Sequence, residues 1–63
     1  MAQVTLKDII FDAYAQALLA ARQKGLQGEP AKEAARNAAA RVVSKATGKV
    51  VTPEIVLKAV TDL

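Results

Sequence analysis

Two carboxylates are placed where they could share a cation or a proton. Asp8 and Asp12 are four residues apart in a stretch with helical periodicity, so both side chains lie on one helix face. Two carboxylates supply too few oxygens for a Ca²⁺ ion, and the pair alone does not assign an acid and a base. We therefore interpret it as a solvated face near a helix start, with contact to Arg36 or Arg41 of another subunit as the alternative. No metal and no cofactor is predicted.

Other reactive groups are scarce in this chain. It has no His and no Cys, and therefore lacks an imidazole base and a thiol nucleophile. Ser44 is the only serine, no base stands at a recognisable distance from it, and we expect its side chain to face away from the core. These features predict that the protein is not an enzyme and has no catalytic residue and no small-molecule substrate.

Five cations lie on or just after the second predicted helix: Lys32, Arg36, Arg41, Lys45 and Lys49. Such side chains are candidate phosphate contacts. Helical geometry places the first two and the next two on opposite flanks, and no aromatic residue is interleaved for base stacking. We interpret the set as a solvated helix face and keep a small basic nucleic-acid-binding accessory protein as an alternative function. The net charge of +3 is mild for such a protein.

The segment around Gly48 suggests two further motifs. Gly48 and Lys49 match the end of a phosphate-binding loop, but Val50 stands where that loop needs Ser or Thr, and a predicted helix precedes it. The stretch up to Pro53 also fits a helix-turn-helix, but the helix that follows is too apolar to contact base edges. We interpret Gly48 as a helix cap.

The C-terminal third of the chain is similar to the end of a histone fold, in which a short extended strap joins a long helix to a short last helix. The resemblance implies the same helix–strap–helix arrangement here. The helix before the strap is shorter than in that family, and the longest predicted helix comes first in the chain. We therefore carry no DNA-binding role over from the resemblance.

A first helix over Leu6–Lys24 is the main predicted element, and the other segments are organised around it. Thr5 is a favourable N-cap, and Asp8, three residues later, completes a variant of the capping box. Gly25 followed by the apolar Leu26 predicts a Schellman motif at the other end.

Gln27, Gly28 and Glu29 are predicted to form the connection, and a second helix follows with Pro30 in its first turn and its end near Thr47. It carries a stripe of small apolar residues that we expect to face the core: Ala31, Ala35, Ala38, Ala39, Val42, Val43 and Ala46. A third helix is predicted from Pro53 to about Leu63, capped by Thr52.

Between the second and third helices, Lys49–Val51 is predicted as a short extended segment whose two valines fill the space beneath the helices. The predicted fold class is therefore all-α: one domain over residues 1–63, a small three-helix unit with a long first helix, an Ala-rich second and a short third, packed as an oligomer.

The apolar arc of the first helix is unusually wide. It covers roughly 200° of the helix circumference, whereas a helix on a single core needs a stripe a little over about 100° wide. A chain of 63 residues is marginally stable alone, because it buries only ~60% of the surface that its unfolded form exposes. We therefore predict self-association through seven residues of the first and third helices: Phe11, Tyr14, Leu18, Leu19, Ile55, Leu57 and Leu63.

The predicted function is that of a non-enzymatic structural or assembly protein that forms a homo-oligomer through its helices. A helical adaptor that docks on a larger protein is a further alternative to the nucleic-acid-binding one. The sequence begins with no basic and apolar leader, and its apolar runs are far shorter than the ~20 residues of a membrane span. We expect a soluble protein, cytoplasmic or inside an assembled particle, with no membrane partner.

Overall fold

The computed structural model describes residues 5–61 and contains three helices: α1 (Leu6–Gln23), α2 (Gly28–Thr47) and α3 (Pro53–Thr61). Helix accounts for 82% of the described residues, none of which lies in a strand, and the helices pack compactly. The predicted all-α, three-helix fold class is thus confirmed. The expectation that the first helix is the longest is wrong, because α2 has 20 residues and α1 has 18. The predicted end of the third helix at Leu63, and Leu63 itself as an interface residue, lie outside the described residues.

The start of α1 is fixed by reciprocal hydrogen bonds between Thr5 and Asp8. The Thr5 hydroxyl accepts the Asp8 N–H at 3.2 Å, and the Asp8 carboxylate accepts the Thr5 N–H at 3.3 Å. Both bonds of the predicted capping box are therefore present. They satisfy a backbone donor that the first helical turn would otherwise leave unpaired, and the Asp8 carboxylate lies at the positive end of the helix dipole.

The end of α1 is the predicted Schellman motif. Gly25 adopts a φ of +94°, its N–H donates to the Arg22 carbonyl at 3.0 Å, and the Leu26 N–H donates to the Ala21 carbonyl at 3.1 Å. Glycine takes this left-handed conformation without the steric cost of a Cβ. The last helical residue is Gln23, one residue earlier than predicted.

Helix α2 begins at Gly28, two residues before the predicted Pro30, which remains in the first turn. Gly28 has a φ of +64°, which lets the chain turn directly from the end of α1 into the next helix. At the other end, Gly48 is the predicted cap: its φ is +72° and its N–H donates to the Ser44 carbonyl at 3.0 Å. The two helices form a hairpin with a short connection.

The segment between α2 and α3 is attached to α2 by two hydrogen bonds of Ser44. Its hydroxyl donates to the Val51 carbonyl at 3.1 Å and accepts the Val51 N–H at 2.9 Å. The expectation that Ser44 faces away from the core is therefore wrong: the residue is half-buried and clamps this segment against α2. Thr52 then caps α3 as predicted, because its hydroxyl accepts the Ile55 N–H at 3.2 Å.

The prediction that both valines of this segment fill the interior is half wrong. Val51 is buried, with 6% of its surface exposed, whereas Val50 is 86% exposed. Successive side chains of an extended segment point to opposite sides, so only one of two adjacent valines can enter the core.

The core lies where α1, the second half of α2, the Val51 segment and α3 meet. Its buried members form one cluster: Ile10, Ala39, Ala40, Val43, Val51 and Val56. Among the described residues, the bulkiest buried side chains are those of Ile10 and three valines, Val43, Val51 and Val56, and the other buried residues are alanines. Towards the α1–α2 connection, the buried residues are Ala21, Ala31 and Ala35, whose short side chains allow close helix packing.

The predicted core stripe of α2 is too wide. Ala31, Ala35, Ala39 and Val43 are buried, but the parallel row Ala38, Val42 and Ala46 is exposed. A row that repeats every four residues turns by about 40° per step around a helix of 3.6 residues per turn. The buried face therefore shifts round α2 along the length of the helix. Ala40, on the side away from the exposed row, is also buried.

Candidate self-association interface

The predicted interface residues of α1 divide between two faces of the helix. Tyr14 is half-buried and packs against the core cluster, and Leu18 is also half-buried. Phe11 and Leu19 are 44% and 61% exposed. The structure thus leaves two of these four large apolar side chains exposed.

Phe11 and Leu19 belong to a second apolar face, with the exposed Ala15 between them. We call Phe11, Ala15 and Leu19 the outer stripe of α1. At about 100° per residue, this stripe is centred about 130° round the helix from the line through the buried Ile10 and Ala21. It is therefore a separate face of α1 and not a margin of the core.

A shallow depression of about 280 Å³ lies on the outer side of α1. It is lined only by residues of this one helix: Lys7, Asp8, Phe11, Asp12 and Ala15. Small-molecule sites bury most of their ligand between several walls, which a single helix does not provide. The depression therefore does not resemble a small-molecule site.

The ends of the outer stripe carry opposite charges. Asp8 lies one turn before Phe11, and Arg22 lies one turn after Leu19, both exposed. Asp8 accepts the Thr5 N–H, and Asp12, beside the stripe, accepts a hydrogen bond from the Gln16 amide at 3.2 Å. Among residues 5–61, no group of three or more His, Cys, Asp or Glu side chains is arranged to hold a metal ion.

The predicted phosphate contacts are not brought together into one set. Lys32 and Arg36 both pair with Glu29, at 4.0 and 3.7 Å, and the Arg36 side chain is only 17% exposed. Arg41, Lys45 and Lys49 are exposed. The pairing with Glu29 directs two of the five cations towards an acid of their own helix.

The predicted interface residues of α3 differ in position from those of α1. Ile55 and Leu57 are exposed, but they flank the fully buried Val56 on either side. At about 100° per residue, they lie about 160° apart round α3 and so do not form one continuous face. Single exposed apolar residues are common on monomeric proteins and by themselves indicate no partner.

Four further large apolar residues are exposed that the sequence did not assign to an interface: Leu6, Leu26, Val42 and Val50. The alternation of side chains in the extended segment would have identified Val50. The four-residue spacing of Ala38, Val42 and Ala46 would have identified Val42 as a member of a second row, but not which row the core covers.

No protein-family model, curated protein or solved structure matches this chain significantly. As for membranes, none of the helices within residues 5–61 combines the length and the apolar content that crossing a bilayer requires.

Proposed function

We propose that this protein is a non-enzymatic structural or assembly subunit that acts by helix-mediated self-association. The observation that carries the proposal is the outer stripe of α1, where Phe11 and Leu19 are exposed on a face that lies away from the core. Large aromatic and aliphatic side chains on a separate face are typical of the buried centre of protein interfaces.

The size of the core supports the same proposal. Within residues 5–61, its buried residues are one isoleucine, three valines and five alanines, and alanine buries little apolar area. The chain also has no Cys for a disulfide. A domain this small gains stability from a second copy, because a partner that binds only the folded state shifts the folding equilibrium towards it.

The nucleic-acid alternative has less support. Two of the five candidate phosphate contacts, Lys32 and Arg36, already pair with Glu29, and the exposed Arg41, Lys45 and Lys49 have no exposed aromatic residue beside them on α2. Nucleic-acid binding through these residues predicts an affinity that falls steeply with salt concentration.

Sedimentation equilibrium across a concentration series tests the proposal. We expect a mass that rises from one chain to a multiple of it at micromolar concentrations. Leu19→Gln should weaken this association by about tenfold or more, since burial of a large aliphatic side chain contributes about 1.5–3 kcal/mol.

Val50→Gln is the control, because it removes an aliphatic side chain that is even more exposed than Leu19 but far from α1 in sequence. We expect it to leave the association unchanged. A mass of one chain at every concentration up to the millimolar range would overturn the proposal, as would equal losses for Leu19→Gln and Val50→Gln.

A further inference from the structure

We propose that two copies of this chain pair through their α1 helices in antiparallel orientation, about a twofold axis that passes beside Ala15. This inference rests on the proposed self-association and specifies its geometry. It is carried by two observations on the outer side of α1: the order of the residues along the stripe, and the shape of the depression next to it.

The spacing of the residues in the outer stripe and at its charged ends is the same in both directions along α1. From Asp8 to Phe11, Ala15, Leu19 and Arg22, the spacings are three, four, four and three residues, symmetric about Ala15. At about 100° per residue, all five lie within an arc of about 80°. All five are also exposed.

This symmetry makes the stripe complementary to its own reversed copy. When two α1 helices run antiparallel with Ala15 facing Ala15, each Phe11 lies at the level of the partner's Leu19. Each Asp8 lies at the level of the partner's Arg22. A contact in which the same patch serves both partners is the usual interface of a twofold dimer.

A parallel pair in the same register is disfavoured. It would place Asp8 beside Asp8 and Arg22 beside Arg22, so like charges would meet at both ends of the interface. The antiparallel pair replaces both repulsions with attractions, and it also sets the two helix dipoles in opposite directions. The charge pattern therefore selects the direction in which the helices run.

The depression provides the second observation. Asp8, Phe11, Asp12 and Ala15 are related as i, i+3, i+4 and i+7, and all four line it. Four residues with this spacing form the hole that receives one side chain of a facing helix in knobs-into-holes packing. In the antiparallel pair, the side chain at that level is the partner's Leu19, and the half-buried Leu18 contacts the partner's Phe11 from the flank.

Ala15 suits a position at the twofold axis. Its single methyl group lets two helix backbones approach to about 8 Å, the short end of the range for packed helices. From Asp8 to Arg22 the paired length is about 21 Å at about 1.5 Å per residue. This is a small interface, so we expect a dimer whose population depends on concentration.

Charge reversal at Asp8 and Arg22 tests the orientation. Asp8→Arg and Arg22→Asp should each weaken self-association by about tenfold or more, because each places like charges at both ends of the pair. An equimolar mixture of the two variants should form a heterodimer about as readily as the unmodified chain forms a dimer. Sedimentation equilibrium of each variant and of the mixture gives all three affinities.

The double variant Asp8→Arg/Arg22→Asp controls for folding. It contains both changes, including the loss of the Thr5–Asp8 capping bonds, but restores opposite charges across the axis. Recovery of association in the double variant, at the same helical circular dichroism as either single variant, would separate pairing from folding.

Disulfide formation tests the register. The chain has no Cys, so Ala15→Cys introduces a single thiol, which should oxidise readily to a linked dimer across the axis. Ala20→Cys is the matched control, because Ala20 is also exposed on α1 but lies about 140° away round the helix.

The outcomes distinguish this inference from the proposed function. If the unmodified chain associates but the complementary mixture shows no preference, or Ala20→Cys cross-links as fast as Ala15→Cys, the antiparallel pair is wrong and self-association stands. If the unmodified chain is a single copy at all concentrations, the proposed function itself fails. A preferred heterodimer together with selective linkage at position 15 supports the pairing described here.

Discussion

Ile10 and Phe11 are consecutive residues of α1 with opposite surroundings. Ile10 is 2% exposed and belongs to the core cluster with Val43 and Val56, whereas Phe11 is larger and 44% exposed. One step along a helix is about 100° round it, so neighbours in sequence lie on different faces. The two faces of α1 thus have different roles: the inner one holds the chain together, and the outer one is available to a partner.

The same comparison explains why α3 is weaker support for an interface than α1. In α3, the exposed Ile55 and Leu57 lie on either side of the buried Val56, about 160° apart round the helix, so they form no continuous apolar face. In α1, exposed and half-buried residues intervene between Ile10 and the centre of the outer stripe at Ala15. Exposed apolar residues indicate a partner when they form a continuous patch, as Phe11, Ala15 and Leu19 do, more than when they lie singly.

The largest expected effect is the difference in stability between substitutions on the inner and outer faces of α1. Ile10→Ala should lower the free energy of unfolding by about 2–5 kcal/mol, because it leaves a cavity in the core. That loss is comparable to the whole stability expected of a domain this small, so the variant should be largely unfolded. Phe11→Ala removes more atoms, but at concentrations below association it should change the unfolding free energy by less than half as much.

Thermal unfolding followed by circular dichroism, at a concentration where the unmodified chain is a single copy, measures both variants. The same scans at a tenfold or greater excess over the dissociation constant should then reveal a loss for Phe11→Ala. Equal losses for the two variants at low concentration would show that Phe11 is part of the core and that the two faces do not differ as described.

The next largest effect concerns the core, at the hydrogen bonds between Ser44 and Val51. Ser44→Ala removes both hydrogen bonds that hold Val51 under the core, leaving the Val51 N–H and carbonyl without that partner. We expect a loss of about 1–3 kcal/mol in unfolding free energy, the cost of leaving a buried polar group unsatisfied. Urea denaturation measures the loss, and amide hydrogen exchange at Val51 should accelerate.

Lys45→Ala is the control for that prediction, since Lys45 is the exposed neighbour of Ser44 on α2. It should change the unfolding free energy by no more than about 0.5 kcal/mol. Because Ser44 does not lie on α1, neither variant should change association once the chain is folded. Tighter or weaker dimerisation of folded Ser44→Ala would contradict the separation of the two faces.

Local signals in the sequence predicted the helix ends well. Thr5, Gly25 and Gly48 act as predicted, because a cap or a left-handed glycine depends on residues within one turn of it. These interactions need no knowledge of what packs against the helix. The error at the start of α2, where the helix begins at Gly28, concerns only which residues of the first turn are already helical.

What the sequence could not give is which of several apolar rows the rest of the chain covers. The rows through Ala39 and through Ala38 look equally suited to burial, and only the placement of α1 and α3 leaves Val42 exposed. Ser44 was missed for a related reason: its partner is Val51, seven residues away and beyond the end of its helix. Such contacts depend on tertiary packing.

For the candidate interface too, the sequence pattern predicted one part and tertiary packing decided the other. Helical periodicity alone predicted that α1 has more apolar circumference than one core needs, and Phe11 and Leu19 were named from that pattern. The pattern did not separate Tyr14, which packs on the core, from Phe11, which does not. That separation required the position of the core cluster around Ile10.

The smallest expected effect is that of salt concentration, which should act on the charged outer face of α1 and not on the inner one. Among the described residues, no polar or charged side chain is buried, so the inner face of α1 has no ion pair to lose. The outer stripe ends in Asp8 and Arg22, and the antiparallel pair places two such ion pairs at its rim. Raising the salt concentration from about 0.1 M to about 1 M shortens the screening length from about 10 Å to about 3 Å.

We therefore expect the dimer to weaken by a few-fold over this range, since an exposed ion pair contributes about 0.2–1 kcal/mol and two are screened together. The unfolding temperature of the single chain should change much less. The variant Asp8→Asn/Arg22→Gln should dimerise more weakly at low salt and lose this salt dependence, because it retains Phe11, Ala15 and Leu19 but has no charge at the ends of the stripe. Association that falls by orders of magnitude with salt, or that keeps its salt dependence in the uncharged variant, would place the decisive contacts outside the outer stripe.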